Sequence, residues 1–255
     1  LTCLNLLCGC FAIILIFQNE FIYAAYLVFA AAVIDFFDGF AARMLKAYSV
    51  IGKDLDSLAD MVTFGVVPGV IMYQLFQKIG TDLTESTSGW HTELSAIDNI
   101  GITALLIPLF SAIRLAKFNN DTRQTESFIG LPTPANAMLI CSLPFILEPC
   151  LNMQTASCTD GISCYVESLF LNPWLFVGFC CLMSFLLVAE LPLFSLKFKT
   201  FVFKGNEIRY VMIAASVILL STLKFAGIPV IIFLYILLSI INNIFFKKEN
   251  KVHFK

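Results

Sequence analysis

DFFDGFAARMLKAYSVIGKDLDSLAD, residues 35–60, sets four of its five carboxylates at helical spacing, with Asp54 off the pattern, inside a chain apolar enough to live in a bilayer. Asp35 and Asp38 lie three apart and Asp56 and Asp60 four apart, so each pair occupies one face of its own helix. Two such helices packed side by side bring four acids around hard cations, which neither helix does alone. Ionisable groups within or at the edge of a membrane span cost a few kcal/mol each on insertion scales, roughly, so four gathered at one place need a compensating charge.

The rest of the chain supplies the membrane. Of 255 residues, 59% are hydrophobic and 13% charged, and the mean hydropathy is +0.87. A soluble domain carries roughly a quarter charged residues. Apolar stretches long enough to be helices fall near 4–18, 21–44, 55–78, 100–118, 132–151, 173–194, 210–225 and 227–246. Crossing a hydrocarbon core takes about 20 helical residues. The expected fold is therefore all-α, a polytopic transmembrane bundle of eight spans, with a re-entrant hairpin as the alternative for the last two.

Basic residues orient it, because cytoplasmic loops concentrate Lys and Arg. With both termini cytoplasmic, Arg43, Lys46, Lys53, Arg114, Lys117, Arg123, Lys197, Lys199, Lys204, Arg209, Lys247, Lys248, Lys251 and Lys255 all fall at cytoplasmic ends. Lys78 and Lys224 are the exceptions among sixteen. The same placement puts the acids at the cytoplasmic face. Residues 80–99 and 152–172 carry acids and no Lys or Arg, as outward loops do. The organisation expected is a membrane core over 1–194, a basic linker over 195–209 and a hairpin with a basic tail over 210–255. The linker alternates bases with aromatics, which suits contact with anionic membrane lipids. A net charge of −2 and the lack of a basic stripe argue against nucleic acid.

Nine cysteines are present. Cys3, Cys8, Cys10, Cys141, Cys180 and Cys181 lie in apolar stretches and read as small buried thiols. Cys158 and Cys164 share the second outer loop, with Cys150 nearby, and a single bridge there is left open.

Residues 35–60 fit the pattern D-x2-D-G-x2-A-R-x8-G-x3-D-x3-D without a gap, through Asp35, Asp38, Gly39, Ala42, Arg43, Gly52, Asp56 and Asp60. On these residues the chain resembles the CDP-alcohol phosphotransferases, integral-membrane enzymes that join a CDP-linked lipid to a small alcohol. The resemblance implies two divalent cations, magnesium or manganese, held by Asp35, Asp38 and Asp56 and by Asp35, Asp56 and Asp60. Asp60 would also accept the proton of the incoming hydroxyl. Asp38, Gly39, Ala42, Arg43 and Gly52 would bind the CDP moiety: the glycines admit close approach of a nucleotide, and Arg43 offsets diphosphate charge. Intramembrane acids also mark cation or proton paths, but transport leaves Arg43, the glycines and the fixed interval unexplained.

LTCLNLLCGC at the start, DSLADMVTFGVVP at 56–68, RLAKFN at 114–119 and FIGLPTPANA at 128–137 extend the resemblance to the serine-using branch of that family. This implies CDP-diacylglycerol and L-serine as substrates, with another acceptor such as glycerol 3-phosphate or an inositol phosphate as the alternative. Arg114 suits a carboxylate in two-pronged fashion, with Lys117 and Asn119 beside it. Arg114 and Lys117 equally suit snorkelling anchors at the membrane surface. Spans seven and eight lie outside the motif-bearing core and fit either packing or a homodimer interface.

Overall fold

The computed structural model describes residues 1–45, 50–86, 100–120, 128–152, 165, 169, 172–193 and 206–246. These are almost wholly helical. In order they form α1 (Thr2–Phe17), α2 (Phe21–Leu45), α3 (Val50–Asp60), a π-type turn (Met61–Val66), α4 (Val67–Ser86), a 3₁₀ turn (Ile102–Leu105) leading into α5 (Leu106–Asn120), α6 (Thr133–Asn152), α7 (Pro173–Val188), α8 (Glu207–Leu223) and α9 (Gly227–Phe246). A two-residue antiparallel ladder joins β1 (Phe128–Ile129) to β2 (Pro192–Leu193), with Phe128 opposite Leu193 and Ile129 opposite Pro192.

Each of the eight expected apolar stretches contains a helical segment, but the one expected over 173–194 ends at Val188, where Pro192 and the β1–β2 ladder take the chain out of the helix. Among the described residues, four segments are long and apolar enough to cross a membrane: Phe21–Ala41, Ile51–Lys78, Ile102–Asn120 and Ile208–Asn243. The last of these is bent. Lys224 has φ of 50°, a 3₁₀ turn covers Lys224–Ala226, and α8 packs back on α9 as a hairpin. Thr2–Phe17, Thr133–Leu147 and Trp174–Val188 are shorter apolar helices.

Which faces are buried follows from side-chain size. In α1 the buried positions Asn5, Gly9, Ala12 and Ile16 recur at steps of four, three and four, one helical stripe. The opposite face exposes Leu4, Leu7, Phe11 and Ile14. Along α2 the inward residues are Ala24, Ala25, Val28 and Ala31, all fully buried. Small residues let helix backbones approach closely where lipid removes the hydrophobic drive for helix pairing, and α1 and α2 pack as an antiparallel pair on this basis. Large apolar side chains facing outward are what a lipid-facing surface requires. This corrects the expectation for the cysteines: Cys141 and Cys180 are buried, but Cys3, Cys10 and Cys181 are exposed, because in such a chain an apolar stretch has an outer face as well as a core face.

At the end of the bundle remote from the acids, Tyr26, Phe29, Phe145 and Phe225 form one aromatic cluster. Phe145 stacks on Phe225 with centroids 4.0 Å apart, and Tyr26 meets Phe145 edge-on at 5.0 Å. The cluster fixes the α8–α9 turn to α2 and α6. Near the same end Lys78 lies over the Phe21 ring at 5.6 Å. Asn172 starts α7, its side chain accepting from the Trp174 and Leu175 amides, with Pro173 in the first turn.

Candidate active site

α2 carries Asp35 and Asp38 near its end, and α3 carries Asp56 and Asp60 up to its last residue. Packing gathers Asp35, Asp56 and Asp60, each half-buried and each offering a carboxylate oxygen, with these atoms all within 4.8 Å of one another. At that separation two ionised carboxylates repel by about 3–4 kcal/mol for an effective dielectric near 20. Three such groups call for a positive charge between them. Their all-oxygen donor set and two-helix origin fit a hard divalent cation, so the residues present suit the metals implied by the sequence.

Asp38 lies just outside this group. Its Oδ2 accepts a hydrogen bond from Thr2 Oγ1, and its charge still reaches Asp35 and Asp56. Asp60 has a second partner on the same helix as Thr2: Asn5 Nδ2 donates to Asp60 Oδ1 at 3.1 Å. Thr2 and Asn5 are one turn apart, so α1 presents a polar edge to both acid-bearing helices. Its position is fixed by contact as well. Thr63 Oγ1 donates to the Asn5 carbonyl at 3.0 Å, and a Cβ at Gly9 would stand 2.5 Å from Thr63 Oγ1. The π-type turn begins at the residue after Asp60 and buries Thr63, Phe64 and Gly65. Such widened turns recur at functional sites.

Arg114 comes from α5 and is 7% exposed. Its Nε donates to the Leu131 carbonyl at 2.8 Å, its Nη1 to Thr133 Oγ1 at 3.3 Å, and the guanidinium stands 5.5 Å from the Phe118 ring centre. It lies within electrostatic reach of Asp60. A buried, hydrogen-bonded guanidinium is not a snorkelling anchor. Lys117, one turn on, is exposed. Asn119 is engaged with α3: its Nδ2 donates to Ser57 Oγ at 2.7 Å, and Lys53 Nζ donates to the Asn119 carbonyl at 3.1 Å.

Gly39 faces open space, with nothing within 4 Å of where a Cβ would be, and Gly52 is exposed on the first turn of α3. Ala42 and Arg43 continue α2, and their side chains lie outside the described residues, as do Lys46, Arg123, Cys158 and Cys164. Gly130 opens the segment into α6 with φ of +77°, and a Cβ there would be 2.7 Å from the Leu187 carbonyl oxygen. The Gly130 and Leu131 amides donate to the Leu191 and Leu186 carbonyls, which fastens this segment to the end of α7. Thr2 and Asn5 lie within LTCLNLLCGC and Ser57 and Thr63 within DSLADMVTFGVVP, but nothing in their type or spacing marks them as the partners of the acids and of Asn119.

A family model described as CDP-alcohol phosphatidyltransferase matches residues 1–166. The chain is similar to the CDP-diacylglycerol–serine O-phosphatidyltransferase of Bacillus subtilis strain 168, with 35% identity over 148 residues, 58% of this chain and 74% of that protein. The protein of the same name from Mycobacterium leprae strain TN is 35% identical over 150 residues, 56% of this chain and 44% of its own length. That from Helicobacter pylori strain J99 is 34% identical over 145 residues, 54% of this chain and 53% of its own length.

Proposed function

The chain belongs to the CDP-alcohol phosphatidyltransferase family, and we propose that it transfers the phosphatidyl group of CDP-diacylglycerol to L-serine, giving phosphatidylserine and CMP. The serine oxygen forms a bond to the lipid-linked phosphorus, the bond from that phosphorus to the CMP oxygen breaks, and the hydroxyl proton passes to Asp60. The observation that carries this reading is the convergence of Asp35, Asp56 and Asp60 with Arg114 standing at their flank.

Asp35, Asp38, Asp56 and Asp60 would hold two divalent cations, magnesium or manganese; when bound, these offset diphosphate charge and stabilise the departing CMP. Asp60 acts as general base, oriented by the Asn5 amide. Gly39, Ala42, Arg43 and Gly52 line the nucleotide, with the open space at Gly39 admitting it. Arg114 receives the serine carboxylate through N–H groups beyond the two given to Leu131 and Thr133. Lys117 and Asn119 form the outer edge of the acceptor site. The eight helical segments are read as eight spans around one bilayer, six in the catalytic core and two in the C-terminal pair, with the acids and both termini at the cytoplasmic face. Lys53, Arg114 and Lys117 at the acid end support that orientation.

The test is CMP release by the purified protein from CDP-diacylglycerol with a panel of alcohols. L-serine should be the preferred acceptor. Release with glycerol 3-phosphate or an inositol phosphate and not with serine would overturn the assignment, and ion flux without CMP release would overturn the enzyme.

A further inference from the structure

The polar residues around Asp60 lie in two layers. In the first, Asn5 bonds Asp60, Asp60 feels Arg114, and Arg114 bonds Thr133. One helical turn deeper on the same helices come Gly9, Thr63, Ser111 and Asn136. The deeper layer is gathered around the π-type turn: Gly9 abuts Thr63, a Cβ at Gly65 would stand 3.1 Å from Ser111 Cβ, and α6, which bears Asn136, packs on the same turn.

Among the described residues, Asn5 Oδ1 in the first layer lacks a partner, and the deeper layer holds three more such atoms, on Ser111 and Asn136. Ser111 and Asn136 are both fully buried. Ser111 Oγ and both side-chain polar atoms of Asn136 have no hydrogen-bond partner among the described residues. Leaving a buried amide unpaired is costly, and buried polar groups in folded proteins are nearly all paired, so an unpaired set beside a reactive centre marks a place where a ligand supplies the bonds. The deeper layer is neutral: Asn136 Oδ1 and Ser111 Oγ are free to accept, and Asn136 Nδ2 is free to donate. With Arg114 in the layer above suited to a carboxylate, the two acceptors are what the site offers to an ammonium.

We propose that Asn136, assisted by Ser111, selects the acceptor by receiving its α-ammonium group through Asn136 Oδ1 and Ser111 Oγ, while Arg114 in the layer above holds the carboxylate. The proposal rests on the reading of the acceptor as a hydroxy amino acid. Asn136 and Ser111 are then specificity-determining residues, distinct from the base and from the acids.

The experiment measures serine KM, kcat, CDP-diacylglycerol KM and the inhibition constant of 3-hydroxypropionate, which keeps the hydroxyl and carboxylate of serine but has no ammonium. Asn136→Ala should raise serine KM about 10- to 100-fold, the scale of losing a hydrogen bond to a charged group, with kcat and CDP-diacylglycerol KM within about threefold of wild type. The inhibition constant of 3-hydroxypropionate should not move. Ser111→Ala and Asn136→Ser should shift serine KM in the same direction by about 3- to 10-fold, and they carry the measurement if Asn136→Ala does not fold. An unchanged serine KM in folded variants, or an inhibition constant that rises in parallel with it, overturns the proposal. A wild-type protein that releases CMP with other alcohols but not with serine instead overturns the parent reading, which the wild-type arm reports separately.

Discussion

Asn5 and Asp60, 55 positions apart in sequence, are joined by a 3.1 Å hydrogen bond in which the amide of the first helix donates to the last carboxylate of the acidic motif. The bond aims one oxygen of Asp60 at Asn5 and frees the other to face the neighbouring acids. Asn5 Oδ1 is itself buried with no partner among the described residues, so the amide is held by its single bond to Asp60 and by packing.

Removing the proposed base and removing its hydrogen-bond partner should differ in degree. Asp60→Asn should lower turnover about 100-fold or more, the usual scale for a positioned base, with CDP-diacylglycerol KM little changed. Asn5→Ala should lower it roughly 3- to 30-fold, the worth of one hydrogen bond to a charged group. Single-turnover CMP release on purified variants checks the order; a larger loss from Asn5→Ala would reverse the assignment.

The acids should be unequal toward metal. Chelator should abolish CMP release, and magnesium or manganese should restore it. Asp35→Ala, which removes a member of the tight group, should raise the metal concentration needed for half-maximal rate more than Asp38→Ala, whose carboxylate is partly committed to Thr2. Metal titrations of the two variants compare them directly, and equal shifts would count against the distinction.

Arg114→Ala should raise serine KM roughly 10- to 100-fold while CDP-diacylglycerol KM stays put. It should also lower thermal stability, because the guanidinium bonds the Leu131 carbonyl and Thr133 as well. Arg114→Lys should recover only part of the serine dependence, since an ammonium keeps the charge without the planar fork. A serine titration alongside a melting curve separates the two effects; unchanged serine KM in the folded variant would remove Arg114 from the acceptor site.

Gly9→Ala should couple packing to catalysis. The new methyl would press on Thr63 Oγ1, and relief requires α1 to move away from the π-type turn, carrying Asn5 with it. Overpacking of this kind costs about 1–3 kcal/mol. The expected result is a lower melting temperature together with a lower turnover, at a CDP-diacylglycerol KM near wild type. Full turnover in a destabilised variant would separate the Gly9 contact from the site.

Topology is testable by thiol labelling in a background freed of native cysteine. Cysteines introduced at Ser88 and Thr159 should react with an impermeant reagent from outside, and those at Asn120 and Asn250 should not. Labelling of Asn120 from outside would place Arg114 and the acids at the wrong face and break the count of spans.

The parts of this structure legible in sequence were those set by local period. The acid pairs at steps of three and four on helices had to share faces, and the apolar stretches had to be helices. What stayed hidden depends on partners far away in the chain. MVTFGV reads as ordinary apolar helix, and its π-type turn is accompanied by Gly9 pressing from α1 and Ser111 from α5. Asp38 reads as equivalent to Asp35 until Thr2 arrives beside it. Arg114 reads as an anchor or a ligand, and neither reading foresees its bonds to the Leu131 carbonyl and Thr133. The β1–β2 ladder pairs residues 128–129 with 192–193, and neither dipeptide carries a strand pattern of its own.

Every residue that builds the acid centre, from Thr2 and Asn5 through Asp35, Asp38, Asp56 and Asp60 to Thr63, lies within the first quarter of the chain, whereas Arg114 follows some fifty residues later. A ribosome releasing this chain into a membrane therefore delivers the carboxylates before the guanidinium that stands beside them in the finished fold. Moving four acids to the edge of the bilayer without that guanidinium is costly. During biogenesis their charge has to be met by protons, by a captured divalent ion or by delay at the aqueous surface until α5 is made. Arg114 then adds a single positive charge to acids that still call for a cation between them, so the need for an ion is present from the first quarter of synthesis onward.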